Sequence, residues 1–113
     1  MYYETEEQLQ AACYMWAHNS IPEIRGLLCY NLNNSKNARQ AAVNKGMGLQ
    51  PGRSDMVLYW KGRAYMIEMK LPDKGQQPVQ KIWEKKIKEQ GFEYYIIKTF
   101  EQFKELITEI MKL

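Results

Sequence analysis

Apolar and polar residues along this chain repeat with a helical period in some segments and a strand period in others. Helical spacing begins after Thr5, which with Gln8 resembles a capping box and predicts a first helix over residues 6–18. The apolar stripe of this helix consists of Leu9, Cys13, Trp16 and Ala17. Ile21-Pro22 interrupts the pattern, so the helix is expected to end before that pair.

Three further stretches with helical composition follow. An Ala-rich stretch predicts a helix from Lys36 to Lys45, with Ser35 as N-cap and Gly46 as the stop. A second helix is predicted over residues 79–90, and a third after the cap residue Thr99. The side chains that these last two helices are expected to bury are Val79, Ile82, Trp83 and Ile87, and then Phe100, Phe103, Leu106, Ile107 and Ile110.

Apolar runs rich in aromatic and β-branched residues predict the strands. Residues 26–30 are a short run of this kind and predict a buried strand, and residues 93–97 predict another strand. Residues 54–70 form a longer run that turns at Lys61-Gly62. The predicted order is therefore α-β-α-β-β-α-β-α. The helix between the hairpin and the last strand is long enough for a parallel crossover, which predicts a mixed α/β sheet flanked by helices within one domain, residues 1–113.

The hairpin brings the chemistry-bearing residues together. If Trp60 pairs with Arg63, the same register places Asp55 directly opposite Glu68. Lys70, two residues beyond Glu68, lies on the same face because side chains alternate along a strand. Two carboxylates and one ammonium on one side of a sheet predict a divalent-metal site beside a cation. The alternative is a cross-strand salt bridge on a solvated sheet face.

Composition and charge limit the class of protein but do not identify a binding partner. The net charge of +3 permits a polyanionic partner but does not require one. Cys13 and Cys29 lie in apolar runs and lack metal-ligand spacing, so buried reduced thiols are expected. The acidic first residues lack a signal peptide's apolar segment, and no run is long enough to cross a bilayer. These features predict a soluble, cytoplasmic protein without an organic cofactor or a membrane partner.

A set of ordered motifs resembles the VRR-NUC branch of the PD-(D/E)xK nuclease superfamily. The set comprises a glycine turn, Gly48-x3-Gly52-x2-Asp55, then Ile67-Glu68-Met69-Lys70, then Gln80 on the following helix. The resemblance extends through nearly the whole chain. It departs from the superfamily name at Ser54, where Pro would precede Asp. The resemblance implies a restriction-endonuclease-like core and phosphodiester hydrolysis with Mg²⁺ or Mn²⁺.

The resemblance also implies how the site residues divide the work. Asp55, Glu68 and the Met69 carbonyl would hold the metal, since Mg²⁺ takes hard oxygen ligands. Lys70 would hold the attacking water and offset negative charge on the phosphate. Gln80, in the first turn of its helix, would position water or phosphate. Without the resemblance, Gln80 is an ordinary polar residue at a helix start.

Glu6 is a further candidate ligand. It lies three residues before Leu9 on the stripe that faces inward, where a carboxylate is unusual without a cationic partner. Related nucleases place a first-helix Glu near the metal. The alternative is an acid stabilised by the helix dipole, and the sequence leaves open whether Glu6 or Glu7 reaches the site.

The expected partner is DNA. Lys36, Arg39, Arg53 and Lys74 flank the proposed site and are candidates for phosphate contacts. Because a domain of this size offers little surface for recognition, the resemblance implies a homodimer acting on branched DNA such as a Holliday junction, in a bacterial or phage-infected cell. The alternatives are a non-catalytic nucleic-acid-binding module with the same fold and a purely structural domain.

Overall fold

The computed structural model describes residues 2–31 and 36–113. The predicted helices and strands occur there in the predicted order, with one short 3₁₀ helix added at Pro22–Ile24. Their bounds are α1 Glu6–Ser20, β1 Leu28–Tyr30, α2 Ala38–Gly46, β2 Met56–Trp60, β3 Arg63–Met69, α3 Pro78–Glu89, β4 Glu93–Ile97 and α4 Phe100–Met111.

Side-chain caps explain where three of the helices begin. Thr5 Oγ1 accepts a hydrogen bond from the Gln8 amide at 3.1 Å, and Thr99 Oγ1 caps α4 in the same way. Asn37 Oδ1 caps α2, so this helix begins at Ala38 and the predicted start at Lys36 is wrong. The predicted cap Ser35 lies outside the described residues. Among the described helices, none has the length and apolar character needed to cross a bilayer.

The four strands form one mixed sheet in the order β1-β2-β3-β4. Strands β1, β2 and β3 are antiparallel neighbours, and β3 pairs with β4 in parallel after the crossover through α3. Trp60 pairs with Arg63, which confirms the predicted hairpin register. Both turn residues have positive φ, 50° at Lys61 and 78° at Gly62, as a two-residue hairpin turn with right-handed strand twist requires.

Helices cover both faces of this sheet. The larger core lies on one face, where α1 and α4 pack on alternate strand residues such as Leu58 and Ile67. The smaller core on the other face consists of Val57, Met66 and Tyr94 under α3. Side chains alternate between the faces along a strand, so Asp55 shares a face with Val57, and Glu68 shares a face with Met66. Asp55 and Glu68 therefore lie on the side of the sheet that α3 covers.

Three predictions about burial need correction. In α3, only Trp83 and Ile87 pack against the smaller core, while Val79 and Ile82 are 46% and 56% exposed. The apolar patch beneath this helix is small, and Trp83 and Ile87 are enough to cover it. Ile82 is rotated by about 100° from Trp83 around the helix axis, so its side chain does not face the patch. Strand β1 is an edge strand, which leaves Tyr30 exposed.

The two cysteines differ in environment. Cys13 is buried in the larger core, and burial raises the pKa of its thiol to about 12. Cys29 is only partly buried, so the expectation of two buried thiols is correct for Cys13 alone. Neither forms a disulfide.

Candidate active site

Hydrogen bonds from the end of β1 fix the main chain around Asp55. The Asn31 amide donates to the Asp55 carbonyl at 2.8 Å, and Asn31 Nδ2 donates to the Ser54 carbonyl at 3.2 Å. Ser54 is fully buried and its hydroxyl donates to the Met56 carbonyl at 3.0 Å. The segment that carries Asp55 is therefore anchored to the edge of the sheet and is not a free loop.

The Asp55 carboxylate reaches across to β3. Its Oδ2 accepts a hydrogen bond from the Met69 amide at 2.6 Å. Since Met56 pairs with Ile67, the next position of the register places Asp55 opposite Glu68. Burial is the largest cause that raises the Asp55 pKa, to about 6. The Met69 amide and Lys70 oppose that rise, and the charges of Glu68 and Glu6 add to it.

Glu68 is fully buried, and its two carboxylate oxygens have different surroundings. Oε1 accepts hydrogen bonds from the Tyr94 hydroxyl and from Gln76 Nε2, the latter at 3.3 Å. Oε2 is buried and has no hydrogen-bond partner among the described residues. A buried oxygen without a donor is unstable by about 1–3 kcal/mol and is an expected position for a cation.

Lys70 lies just beyond β3 and is 5% exposed. Its amide donates to the Ile97 carbonyl at 2.9 Å, which extends the parallel pairing and holds Lys70 at the end of the sheet. The salt bridges of the described residues join Lys88 with Glu84 and Lys112 with Glu109. Glu68 and Lys70 are buried, and no salt bridge of the described residues joins Lys70 with Asp55 or Glu68, so the alternative of a cross-strand salt bridge on a solvated sheet face is wrong.

A cleft of about 390 Å³ opens beside Asp55. Residues from α1, the turn before β2 and the start of α3 line it, among them Glu6, Glu7, Arg53 and Gln80. Glu6 is partly buried and its charge raises the pKa of Asp55, whereas Glu7 is exposed. Of the two first-helix acids, Glu6 is thus the one that interacts with Asp55.

Gln80 lines the cleft, but its side chain also serves the helix start. Gln80 Oε1 accepts a hydrogen bond from the Gln77 amide at 2.7 Å, as in a capping box. Its amide nitrogen is the group that would be available to water or phosphate in the cleft.

The turn at Pro51-Gly52 rests against the first turn of α3. A Cβ at Gly52 would lie 2.2 Å from the Val79 carbonyl oxygen and 2.8 Å from the Gln80 nitrogen. The φ of Gly52 is +77°, which also favours glycine. Glycine at this position therefore lets the segment that leads to Asp55 approach the helix that carries Gln80.

Gly52→Ala is expected to lower the free energy of unfolding by about 3 kcal/mol, from positive φ and from the close contact together. The matched control is Gly48→Ala, since Gly48 also has positive φ (+97°) but has open space around its Cβ position. That variant should lose only about 1 kcal/mol. Urea denaturation of both variants measures the difference, and equal losses would contradict a role for the close approach.

The other predicted cations lie apart from the cleft. Lys74 lines a separate depression with residues that include Leu71 and Thr99. Lys36 and Arg39 are exposed at and before the start of α2, and neither lines the cleft. Only Arg53, of the four predicted DNA contacts, is brought next to Asp55.

Three residues around the site were not predicted from the sequence. Asn31 anchors Asp55, and Tyr94 and Gln76 both donate to Glu68. Tyr94 pairs with Met66 in the parallel part of the sheet, which places it on the face of Glu68. Alternation along β4 predicts that Tyr94 lies on one of the two faces of the sheet but not on which one. No turn fixes the register of a parallel pair, so the contact with Glu68 could not be predicted. Gln76 lies in a loop without any repeating pattern.

The described side chains supply only some of the ligands that a hard divalent cation needs. No three of the described His, Cys, Asp and Glu residues form a group that could hold an ion alone. The bare Glu68 Oε2 and the Asp55 carboxylate are the available oxygens, and they match the one or two carboxylates that Mg²⁺ commonly takes. The remaining positions would belong to a main-chain carbonyl, water and substrate.

The fold, a mixed four-stranded sheet with helices on both faces, is shared with a known protein. A solved structure described as a VRR_NUC domain protein has this fold, with a TM-score of 0.82, 19% sequence identity, and coverage of 100% of this chain and 93% of that one. At this identity the likeness shows the fold alone. No family model matches the chain, and no curated protein matches it significantly.

Proposed function

We propose that this protein is a metal-dependent endonuclease that hydrolyses phosphodiester bonds in DNA. The observation that carries the proposal is the buried Glu68 Oε2, which has no donor among the described residues, on a side chain that faces Asp55 at the end of the sheet. The charges of Glu68 and Lys70 both act on Asp55. A fully buried carboxylate facing a partly buried one is costly to maintain without a bound cation. The fold shared with a VRR_NUC domain protein supports the same assignment.

Each residue of the site would contribute one interaction to the reaction. Asp55, Glu68 and the Met69 carbonyl would hold Mg²⁺ or Mn²⁺, and Glu6 would add a fourth ligand from across the cleft. The bound ion would activate a water and polarise the phosphate. Lys70 would orient that water and neutralise charge on the phosphoryl oxygens. Gln80 would donate its amide to water or phosphate.

DNA would enter along the basic segment between β1 and β2. Residues 31–54 contain no Asp or Glu but contain Lys36, Arg39, Lys45 and Arg53. Helix α2 within this segment has no buried residue, so its cations are free to reach a phosphate backbone. Lys74 would contact DNA from the opposite side of the site.

A homodimer acting on branched DNA is the more specific form of the proposal. An apolar depression lined by residues that include Tyr14 and Met56 adjoins the cleft and shares Glu7, Gln10 and Tyr30 with it. A second copy packed there would bring two clefts close together, as cleavage of a four-way junction requires. Sedimentation velocity should then give twice the monomer mass, and a monomer at micromolar concentration would contradict this form.

The alternative is a module that binds nucleic acid without cleaving it. Two acids beside a phosphate would weaken such binding unless a cation were present, so the Asp55 and Glu68 pair argues against it. A purely structural role would explain even less why Glu68 Oε2 is buried with no donor in the ranges 2–31 and 36–113.

A single assay tests the proposal. Purified protein would be incubated with linear duplex, flap and four-way-junction DNA in Mg²⁺, Mn²⁺ or EDTA. Cleavage that requires a divalent ion supports the nuclease assignment, and preference for the junction supports the branched substrate. DNA binding without cleavage of any substrate would favour the non-catalytic module instead.

Arg39→Ala is expected to weaken DNA binding in EDTA and to reduce the slope of log affinity against log salt by about 1, because one phosphate contact is lost. Arg63→Ala is the matched control, since Arg63 is exposed at the opposite end of β3 from Lys70. Fluorescence anisotropy over a salt series measures both slopes. An unchanged slope for Arg39→Ala would remove α2 from the proposed DNA path.

A further inference from the structure

We infer that Tyr94 and Gln76 are positioning residues that orient Glu68 so that Oε2 alone is presented to the metal ion. This inference rests on the proposed function, because it concerns how the same site prepares one of its ligands. Neither residue belongs to the motifs that indicate a nuclease. Both act on Glu68 and neither would touch the substrate.

The first support is the unequal treatment of the two carboxylate oxygens. Oε1 of Glu68 accepts from Tyr94 and from Gln76, whereas Oε2 accepts from no described residue, although the side chain is fully buried. A purely structural carboxylate would be expected to have both oxygens hydrogen-bonded. Within the described part of the chain, two donors bind one oxygen and none binds the other, and this determines which oxygen is left for a cation.

The second support is the rigidity of the Tyr94 hydroxyl. Tyr94 is 7% exposed and belongs to the smaller core with Val57 and Met66. Its ring lies 6.0 Å from that of Trp83 on α3, centroid to centroid. The hydroxyl that donates to Glu68 is therefore held in place by packed aromatic side chains.

The third support is the link from Gln76 to α3. Gln76 Nε2 donates to Glu84 Oε1 at 2.9 Å as well as to Glu68, and Glu84 pairs with Lys88 at 2.6 Å. One amide group thus joins the loop after β3, the proposed ligand and the helix that covers it. Partners of this kind orient metal ligands, and their loss commonly reduces metal affinity about 10- to 100-fold.

Tyr94→Phe tests the inference because it removes the hydroxyl and keeps the ring. The matched control is Tyr95→Phe, whose hydroxyl donates to Glu93 outside the site. Mn²⁺ would be titrated into metal-free protein without DNA and followed by electron paramagnetic resonance. We expect the dissociation constant to rise about 10-fold or more in Tyr94→Phe, with an altered spectrum of the bound ion, and to stay within about twofold in Tyr95→Phe.

The possible results distinguish a failure of the inference about Tyr94 from a failure of the proposed function. If wild type binds Mn²⁺ and Tyr94→Phe binds it equally well with the same spectrum, the inference is wrong and the proposed function stands. If wild type binds no Mn²⁺, the proposed function fails and the inference fails with it. Circular dichroism checks that Tyr94→Phe folds, and Gln76→Ala, which removes the second donor, must also weaken Mn²⁺ binding.

Discussion

Lys70→Ala is expected to lose metal-dependent DNA cleavage by about 100-fold or more while keeping its fold, because the variant lacks the cation that offsets charge on the phosphoryl group. Lys70 is 5% exposed at the end of β3, and its charge acts on Asp55. Mn²⁺ binding should be retained, since a lysine is not a ligand. Single-turnover cleavage with excess enzyme separates this loss from weaker DNA binding.

Lys86→Ala is the control for that experiment. It removes the same charge from the exposed surface of α3, so cleavage should change by less than about twofold. If Lys70→Ala cleaves DNA as fast as wild type, the proposed division of roles at this site is wrong. If both lysine variants lose activity equally, the effect is one of net charge and not of position.

Asp55→Asn is expected to abolish cleavage and, in EDTA at pH 7.5, to raise the free energy of unfolding by at most about 3 kcal/mol. The pKa of Asp55 is about 6 in the folded protein, whereas an aspartate exposed to water in the unfolded chain has the ordinary value of 3.8. The folded state therefore binds more protons between these values, and wild-type stability falls as the pH rises through that window. Above about pH 6, ionised Asp55 destabilises the folded protein by its full amount, which is about 1.4 kcal/mol for each unit of difference between the two pKa values.

The sign of this effect is the informative part of the measurement. At pH 3.5 or below, Asp55 is mostly protonated in both states, so wild type and Asp55→Asn should unfold at nearly equal urea concentrations. Asn also keeps an acceptor for the Met69 amide. Asp73→Asn, at the other aspartate of the sequence, is the control because Asp73 is exposed. A variant less stable than wild type at pH 7.5 would contradict the burial of an unfavourable charge.

Added Mg²⁺ should reverse the order of stability. An ion that binds only the folded site stabilises wild type by mass action, and Asp55→Asn gains little from it. The wild-type chain would then retain a destabilising acid because the acid is needed once the ion is bound. Equal responses of both proteins to Mg²⁺ would mean that Asp55 is not a ligand.

The hairpin shows how far local sequence determines this site. A two-residue turn at Lys61-Gly62 fixes the register of β2 and β3, and the register in turn fixes that Asp55 faces Glu68. Helix starts with strong capping residues, such as Thr5 and Thr99, are equally local. These features depend on residues close in sequence, which is why patterns alone predicted them.

Other features depend on residues that meet only in the folded chain. The parallel register of β3 and β4 has no turn to fix it, so the approach of Tyr94 to Glu68 could not be predicted. The exposure of Val79 follows from how little of the sheet α3 covers. The interaction of Glu6 with Asp55 likewise depends on how α1 lies against the sheet.

The sequence by itself determined the order of elements, the hairpin and the facing acids, because short-range periodicity and turn geometry act within a few residues. Tertiary structure alone decided that Glu68 is fully buried, that two donors bind one of its oxygens, and that no other described residue donates to the second oxygen. The physical reason is that burial and hydrogen-bond satisfaction are properties of packed neighbours, and those neighbours come from β4 and from the loop before α3.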